Sequence, residues 1–277
     1  MEMHVIRVFL YSPTGTTRKV VEAIIDGLEI QEVHLVDLTK PSVREQIIGR
    51  IYEDLVIFAV PVYFNHAPRE VVDILEGVEG EGKPVILLAV YGNVGYGKVL
   101  WDLQEASQEA SLIPVAAATF VGEHSFSHPE FPIAPGRPDD EDLHIARDFG
   151  GRVRNIMDGI EEPSLASLDP LPWKMPFLSR MIPDSFARYA TREPRIDLEK
   201  CTRCGTCVKK CPVQAIDRST LVIDGNSCTR CFACVKYCPA TARIIAFKRP
   251  RLLRWFFSKH ASRRRSARLF LPKNPSE

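Results

Sequence analysis

The cysteines constrain this sequence more than any other feature. All eight lie between positions 201 and 238, and the first 200 residues contain none. They form two runs with the same spacing, each ending on a cysteine that precedes proline: Cys201, Cys204, Cys207 and Cys211, then Cys228, Cys231, Cys234 and Cys238. A disulfide framework spreads its cysteines through a small secreted domain, and zinc sites commonly use two separated pairs. The spacing of two, two and three residues is instead typical of cubane iron–sulfur clusters.

An internal repeat supports a paired arrangement of clusters. A shift of 27 residues aligns 197–215 with 224–242, and 11 of the 19 positions are identical. The duplication predicts a pseudo-twofold domain with two clusters near its centre and short strands at 195–197, 221–224 and 242–247. A zinc-binding or cluster-free cysteine module is the alternative.

The cysteine-rich part resembles the two-cluster bacterial ferredoxins, in which the fourth cysteine of each run ligates the other cluster. The resemblance therefore implies two [4Fe–4S] clusters. One would be held by Cys201, Cys204, Cys207 and Cys238, and the other by Cys228, Cys231, Cys234 and Cys211.

The first 160 residues alternate strand and helix patterns. Strands are predicted at 4–11, 33–38, 55–60, 85–90 and 114–121, and helices at 42–51, 69–75, 98–110 and 139–157, with a further helix ending at Leu28. Five apolar strands with crossover helices predict an α/β doubly wound parallel sheet. Ligands bind at the carboxyl ends of such strands. The candidate loops are therefore 12–17, 61–67, 91–97 and 122–138.

Loop 12–17 carries hydroxyl side chains and one glycine directly before a helix: Ser12, Thr14, Gly15, Thr16 and Thr17. Backbone N–H groups at a helix N-terminus bind phosphate, and hydroxyl groups add donors. The alternative is a simple Ser/Thr helix cap. The loop lacks the glycine patterns of dinucleotide and ATP sites.

The next two loops offer backbone groups and aromatic rings. They contain Pro61, Val62, Tyr63, Phe64 and Asn65, and Tyr91, Gly92, Asn93, Gly95, Tyr96 and Gly97. Together they predict a site that encloses a flat ring. Each tyrosine taken alone is better explained as an ordinary core or surface aromatic, and only the combination of the three loops indicates a ring site.

These three loops resemble those of flavodoxin over residues 4–158. The resemblance implies a five-stranded sheet of order 2-1-3-4-5 and bound FMN, with Ser12, Thr14, Gly15, Thr16 and Thr17 on the phosphate and 61–65 and 91–97 beside the isoalloxazine. The whole chain is similar to the ferredoxins of anaerobes that carry an N-terminal flavodoxin-like domain. It departs from simple flavodoxins in having no tryptophan in the ring loops and a long loop after the fifth strand.

That long loop contains His124 and His128. They are candidate proton donors near the flavin, or solvated loop histidines. With Ser125, Phe126 and Arg137, His124 is also a candidate wall of a substrate pocket.

Composition divides the chain into residues 1–160, 161–194, 195–247 and 248–277. Residues 161–193 of the second segment contain five prolines and a set of apolar side chains that predicts packing rather than a flexible tether: Trp173, Met175, Phe177, Leu178, Met181 and Phe186. The last segment has ten basic residues and one acid, which leaves 26 basic and 34 acidic residues elsewhere. Its residues 251–261 form a basic amphipathic helix pattern, with Leu252, Leu253, Phe256, Phe257, His260 and Ala261 on one stripe. Such a helix covers the protein's own acidic body, an acidic partner or an anionic membrane surface; nucleic acid is unlikely.

The sequence thus predicts electron transfer between FMN and two low-potential clusters, with redox protein partners whose identity is open. The alternative is a flavin-dependent oxidoreductase that reduces a small molecule. A redox sensor without FMN is a third possibility, against which the intact phosphate loop argues. No nucleophile–base pair predicts separate catalytic residues. Without a signal peptide pattern or a membrane-length apolar run, we expect a cytoplasmic protein, peripheral at the inner membrane face if the tail binds lipid.

Overall fold

The computed structural model describes residues 3–46, 49–129, 132–172, 191–248, 250–261 and 263–272. Its N-terminal part alternates strands and helices in chain order: β1 Val5–Leu10, α1 Thr16–Leu28, β2 Glu32–Asp37, α2 Pro41–Arg44, β3 Gly49–Arg50, β4 Leu55–Pro61, α3 Arg69–Leu75, β5 Val78–Glu79, β6 Pro84–Tyr91, α4 Val99–Glu109, β7 Ile113–Val121 and α5 Asp140–Asp158. Asp139 caps α5 with a side-chain hydrogen bond from the Asp142 N–H, and the acidic first turn suits the helix dipole.

The central sheet has six strands. Five are parallel, in the spatial order β2-β1-β4-β6-β7, which is 2-1-3-4-5 when the long strands are counted along the chain. This is the order of the flavodoxin-like fold. The sixth strand, β10 (Arg268–Phe270), comes from the basic tail and pairs antiparallel with β7. The five-stranded prediction therefore missed one edge strand.

Two helical layers cover the sheet. Helices α1 and α5 pack on one face through Val20, Ile24, Ala146 and Phe149, while α3 and α4 pack on the other. All residues of β6, and all but the last of β4, are buried, as expected for parallel strands covered on both faces.

One predicted helix is wrong. Residues 42–51 do not form a continuous helix, because α2 ends at Arg44 and Gly49–Arg50 form a short strand parallel to β5. The Ile51 N–H donates to the Glu79 carbonyl at 3.0 Å, and the Ile51 side chain is 1% exposed. Strand pairing and burial of Ile51 outweigh the local helical pattern. Residues 47–48 lie outside the described part of the chain.

The cysteine-rich part is small and repeats its backbone. Strand β8 (Arg195–Ile196) pairs antiparallel with β9 (Arg243–Ile244), and two one-turn helices lie between them, α6 Thr206–Lys209 and α7 Ala233–Lys236. Left-handed backbone recurs at the repeat interval, at Arg203 and Arg230 and at Gly205 and Phe232. The strand expected at 221–224 is reduced to a single bridge between Ile216 and Ile223.

The described part of the linker packs on the sheet domain. The Leu171 N–H donates to the Gln104 side-chain oxygen at 2.7 Å, and Leu168 and Leu171 are buried in the core. The six apolar residues singled out above, from Trp173 to Phe186, lie outside the described residues.

The tail folds back onto the protein. Its helix α8 (Pro250–Ala261) buries Leu253 and Phe257 in a cluster with Phe126, Ile133 and Phe232, which joins the sheet domain to the cysteine-rich part. Of the predicted stripe, the side chains of Leu252, Phe256, His260 and Ala261 lie outside the described atoms. Among the helices described, none is long and apolar enough to cross a membrane.

Candidate cofactor sites

Four cysteines from both runs surround one cavity in the cysteine-rich part. Cys201, Cys204 and Cys207 of the first run line it together with Cys238, the last cysteine of the second. The loop that carries the first three lies against the turn that carries the fourth. The structure thus brings together the set predicted for one cluster.

Backbone and side-chain donors point at these sulfurs. The N–H groups of Arg203 and Ala242 lie 3.4 Å from the Cys201 Sγ and 3.2 Å from the Cys238 Sγ. The Arg243 guanidinium lies 3.7 Å from the Cys207 Sγ. Such donors stabilise thiolate ligands and tune the potential of a cluster.

The other four cysteines form the more buried set. Burial, together with the charges of Cys211 and Cys228, raises the pKa of the Cys231 thiol to about 12. Burial likewise raises the pKa of Cys234 well above its usual value, with added repulsion from the Cys231 thiolate. Four mutually repelling thiolates in a dry site suit a cationic iron core that replaces their protons.

The two sets differ in exposure. Cys204 is exposed, whereas Cys231 and Cys234 are each 8% exposed. The first set therefore reaches the surface at Cys204, whereas the second includes two buried cysteines.

Loop 12–17 shapes a helix N-terminus. Gly15 adopts φ 86°, which reverses the chain directly before α1. The N-cap residue of α1 is Gly15, and the Ser12 hydroxyl caps one N–H of the first turn by accepting from the Arg18 N–H at 3.1 Å. The N–H groups of Thr16 and Thr17 belong to the first turn and have no acceptor within the helix. Thr17 is 1% exposed, and its Oγ1 has no hydrogen-bond partner.

The two ring loops contact each other. The Lys98 N–H donates to the Asn65 carbonyl at 2.7 Å, and a β-carbon at Gly97 would lie 2.1 Å from the Asn65 Cβ. Phe64 and Asn65 both adopt left-handed backbone, which produces the tight turn of the first loop. The rings of Tyr91 and Tyr96 meet edge to face at 5.9 Å.

A cavity lies where these loops meet the carboxyl ends of β1, β4, β6 and β7. We call it the edge cavity. The free space inside it is about 60 Å³, and it opens to solvent. Its lining consists of Thr14, Thr16, Pro61, Val62, Tyr63, Val90, Tyr91, Gly92, Gly122, Glu123, His124, Ser125 and Cys231.

The lining includes a cysteine of the more buried set. Cys231 reaches the edge cavity from the cysteine-rich part, opposite the sheet loops. No other cysteine is among the described residues that line this cavity. The edge cavity therefore adjoins the second cysteine set and not the first.

One wall of the cavity is fixed by His124. Its Nδ1 lies 3.0 Å from the Phe126 N–H, so Nδ1 is the acceptor and the neutral ring carries its proton on Nε2. Burial, followed by the positive charge of Lys236, lowers its pKa to about 4. The ring contacts Phe257 edge-on and Phe126 in a tilted arrangement. The expectation that His124 is a solvated loop residue is therefore wrong, whereas His128 is exposed.

The proposed substrate wall is only partly present. Ser125 lines the edge cavity, but Phe126 is buried in the cluster with α8. Arg137 is 8% exposed and donates to both carboxylate oxygens of Asp142 and to the Arg265 carbonyl. Phe126 and Arg137 thus support the structure instead of facing a ligand.

The structure brings together seven of the sixteen residues predicted for the flavin: Thr14, Thr16, Pro61, Val62, Tyr63, Tyr91 and Gly92. The others lie beside or beneath the cavity, among them Ser12 as cap, Thr17 in the core and Asn93 with its side-chain amide on the Arg263 carbonyl. Tyr96 contacts Arg268 of the tail. Burial raises the pKa of Tyr63 and Tyr91, so both cavity tyrosines are neutral phenols.

Comparison with protein families decides the nature of the cysteine-rich part. Residues 193–239 match the family described as the 4Fe-4S dicluster domain. This part of the chain is a dicluster iron–sulfur domain. It holds two [4Fe–4S] clusters, and the eight cysteine thiols, arranged around two centres, provide four ligands for each. A search of curated proteins finds no match to the sequence.

Solved structures similar to the sheet domain include a flavodoxin from the domain Archaea (16% identity, TM-score 0.38, 56% of this chain and 99% of that one). Flavodoxin 2 from Bacillus cereus is 17% identical, with a TM-score of 0.42 over 55% of this chain and 99% of that one. The Flv1 flavodiiron core from Synechocystis is 14% identical, with a TM-score of 0.42 over 57% of this chain and 36% of that one.

Sequence reasoning missed three features of the edge cavity. Gly122 and Glu123 follow β7 and were only part of a long candidate loop, although the rule that selected the loop applies to them equally. The approach of Cys231 depends on how the dicluster domain docks, for which the sequence contains no local signal. Tyr237 of the same domain, which contacts Gly15, was missed for the same reason.

Proposed function

We propose that this protein transfers electrons between FMN in the edge cavity and the two clusters of its dicluster domain. FMN exchanges one or two electrons, and each cluster exchanges one. The chain would thereby couple a two-electron flavin to one-electron carriers. The observation that carries the proposal is the presence of Cys231 on the wall of the edge cavity.

The residues around the cavity suit FMN. The Gly15 turn and the free N–H groups of the first turn of α1 suit a phosphate dianion. The unpaired buried Oγ1 of Thr17 is a further polar group without a protein partner at this loop. Tyr63 and Tyr91 provide aromatic surface at the sheet edge for the ring.

The exposure of the cysteines suggests the order of transfer. The second set, with Cys231, adjoins the edge cavity, and the first set reaches the surface at Cys204. We therefore place the second cluster between the flavin and the first cluster, and the first cluster at the exchange surface for a redox protein partner.

Two cysteine variants test this order. Cys211→Ser removes the fourth ligand of the second cluster, and Cys238→Ser removes the fourth ligand of the first. Both proteins, with the wild type, would be purified anaerobically and assayed for flavin and iron. The bound flavin is then reduced by light with EDTA as the electron donor, and cluster reduction is followed by electron paramagnetic resonance.

We expect rapid reduction of the second cluster in Cys238→Ser and slow reduction of the first cluster in Cys211→Ser. Equal rates in the two variants would contradict the order. A wild-type protein that contains iron but binds no FMN after incubation with it would overturn the proposal as a whole.

A flavin-dependent reductase is the second candidate, favoured by the position of His124 and Ser125 on the cavity wall. The pKa of about 4 makes His124 a neutral donor at pH 7. This candidate predicts that a small electron acceptor oxidises the reduced flavin faster in the wild type than in His124→Gln. The electron-transfer function predicts no difference.

A further inference from the structure

We propose that Tyr237, a residue of the dicluster domain, donates a hydrogen bond to the flavin phosphate held by loop 12–17 of the sheet domain. The inference rests on the proposed function, because it concerns the same FMN. It assigns to the phosphate site a ligand from the other domain, one that the flavodoxin resemblance does not include.

The hydroxyl of Tyr237 lies directly over the phosphate loop. A β-carbon placed on Gly15 would be 3.0 Å from the Tyr237 Oη. Gly15 is the residue that precedes the first turn of α1. The hydroxyl therefore lies beside the turn that precedes α1, on the side of the loop that faces the dicluster domain.

Among the residues that the structure describes, this hydroxyl has no hydrogen-bond acceptor. Tyr237 is half-buried, and its hydroxyl makes no hydrogen bond to any residue that the structure describes. The buried Thr17 Oγ1 at the same loop also has no partner. A hydroxyl without an acceptor beside a helix N-terminus suits a ligand with several acceptor oxygens, and a phosphate monoester provides three.

The local charge suits an anion as well. The Lys210 Nζ lies 4.7 Å from the centre of the Tyr237 ring. This exposed lysine brings a positive charge of the dicluster domain to the same side of the loop. A dianion beside it gains Coulomb energy that a neutral ligand does not.

The docking of the two domains fixes Tyr237 in this position. The Arg44 guanidinium, from α2, donates to the Pro212 carbonyl of the dicluster domain at 2.6 Å. Lys236, the neighbour of Tyr237, forms a 2.5 Å ion pair with Glu123 on the edge of the cavity. The phosphate would therefore be held by both domains at once.

The test compares FMN with riboflavin, which has the same ring and ribityl chain but no phosphate. Dissociation constants of both are measured by fluorescence titration of flavin-stripped, cluster-loaded protein under anaerobic conditions. For Tyr237→Phe we expect the FMN dissociation constant to rise about tenfold or more, as is typical of losing a hydrogen bond to a charged group, with riboflavin unchanged. Tyr52→Phe, at a tyrosine that is 73% exposed, is the matched control and should change neither constant.

Two outcomes would overturn the inference. An equal loss of affinity for both flavins would mean that Tyr237 acts on domain docking, and an unchanged or tighter FMN affinity would mean that the hydroxyl is not a donor. The iron content of Tyr237→Phe is measured first. If it falls, Lys210→Gln serves instead, for which we expect a smaller loss that is again confined to FMN.

Failure of the proposed function would be seen separately. If the wild type binds neither FMN nor riboflavin, the electron-transfer proposal fails before any variant is compared.

Discussion

Thr17 is the residue in the sheet domain whose chemistry points most directly to a ligand. Its side chain is 1% exposed and its Oγ1 has no partner, although an unpaired buried hydroxyl costs about 1–3 kcal/mol. A second threonine, Thr119, has the same properties but lies in strand β7 and not in loop 12–17. Comparing the two threonines therefore distinguishes the effect of a hydroxyl that binds a ligand from the effect of burying any hydroxyl without a partner.

We predict opposite effects of Thr17→Val on stability and binding. The change removes the hydroxyl at nearly constant volume, so the free energy of unfolding of the flavin-free protein should stay constant or rise by about 1 kcal/mol. The FMN dissociation constant, measured by fluorescence titration, should rise several-fold. Thr119→Val should give the same stability change with unaltered FMN affinity. A Thr17→Val protein that binds FMN normally would remove Thr17 from the phosphate site.

At the residue scale, the spacing of residues along the chain predicts only those features that lie within one domain. The cysteine spacing and the repeat predicted the dicluster domain, and the Ser/Thr-rich turn after β1 predicted the loop with Gly15. The positions of Cys231 and Tyr237 against the sheet domain follow from docking of two units, which no spacing within one unit encodes.

At the scale of elements, α8 connects the two domains. Leu253 and Phe257 are 7% and 5% exposed and pack with Phe126 and Phe232, whereas Trp255 on the same helix is 58% exposed. The amphipathic pattern of this helix therefore serves the protein's own interface.

Replacing Phe257 tests that role. Phe257→Ala leaves a cavity between the domains and should lower the free energy of unfolding by about 3–5 kcal/mol, measured with guanidinium under anaerobic conditions. Trp255→Ala, two residues away, should change it by less than about 0.5 kcal/mol. The reverse ranking would show that the exposed face of α8 carries the stabilising contacts.

The long elements could be predicted because each contains enough residues to show a hydrophobic period. The boundaries of α3 were predicted as observed, and the five long strands were found within one or two residues. Strands β3, β5 and β10 contain two or three residues each, too few for any period, and they exist because a neighbouring strand offers partners. The helix predicted at 42–51 is wrong for the same reason, because its residues Gly49–Arg50 form the short strand β3 beside β5.

At the scale of the molecule, the interface between the domains contains groups that titrate in acid. Burial raises the pKa of Glu123, but its hydrogen bond and charge interaction with Lys236 outweigh this and hold the pKa below its usual value. The stabilisation that the ionised Glu123 carboxylate gives the folded protein is therefore lost only as the pH falls below about 4.5. The pKa of His124 is lowered to about 4, so between pH 6.5 and 4 the unfolded protein binds a proton there that the folded protein does not.

Stability should consequently fall when the pH drops from 7 to 5, before Glu123 titrates. We expect the free energy of unfolding in urea to decrease by about 2 kcal/mol over this range because of His124. His124→Gln has no titrating ring and should remove most of that slope. If the slope persists in the variant, another group in the interface is responsible.

The position of β10 also determines the order in which the protein matures. The chain forms β7, then the dicluster domain, and only afterwards the three residues that cover the edge of β7. During synthesis that edge stays open while the cysteines leave the ribosome, and an unpaired strand edge invites association with other chains. Delayed iron delivery would prolong this interval if the tail packs only on a dicluster domain that already contains its clusters. Nascent chains in iron-starved cells would then aggregate, because the last strand of the sheet domain follows the dicluster domain in the sequence.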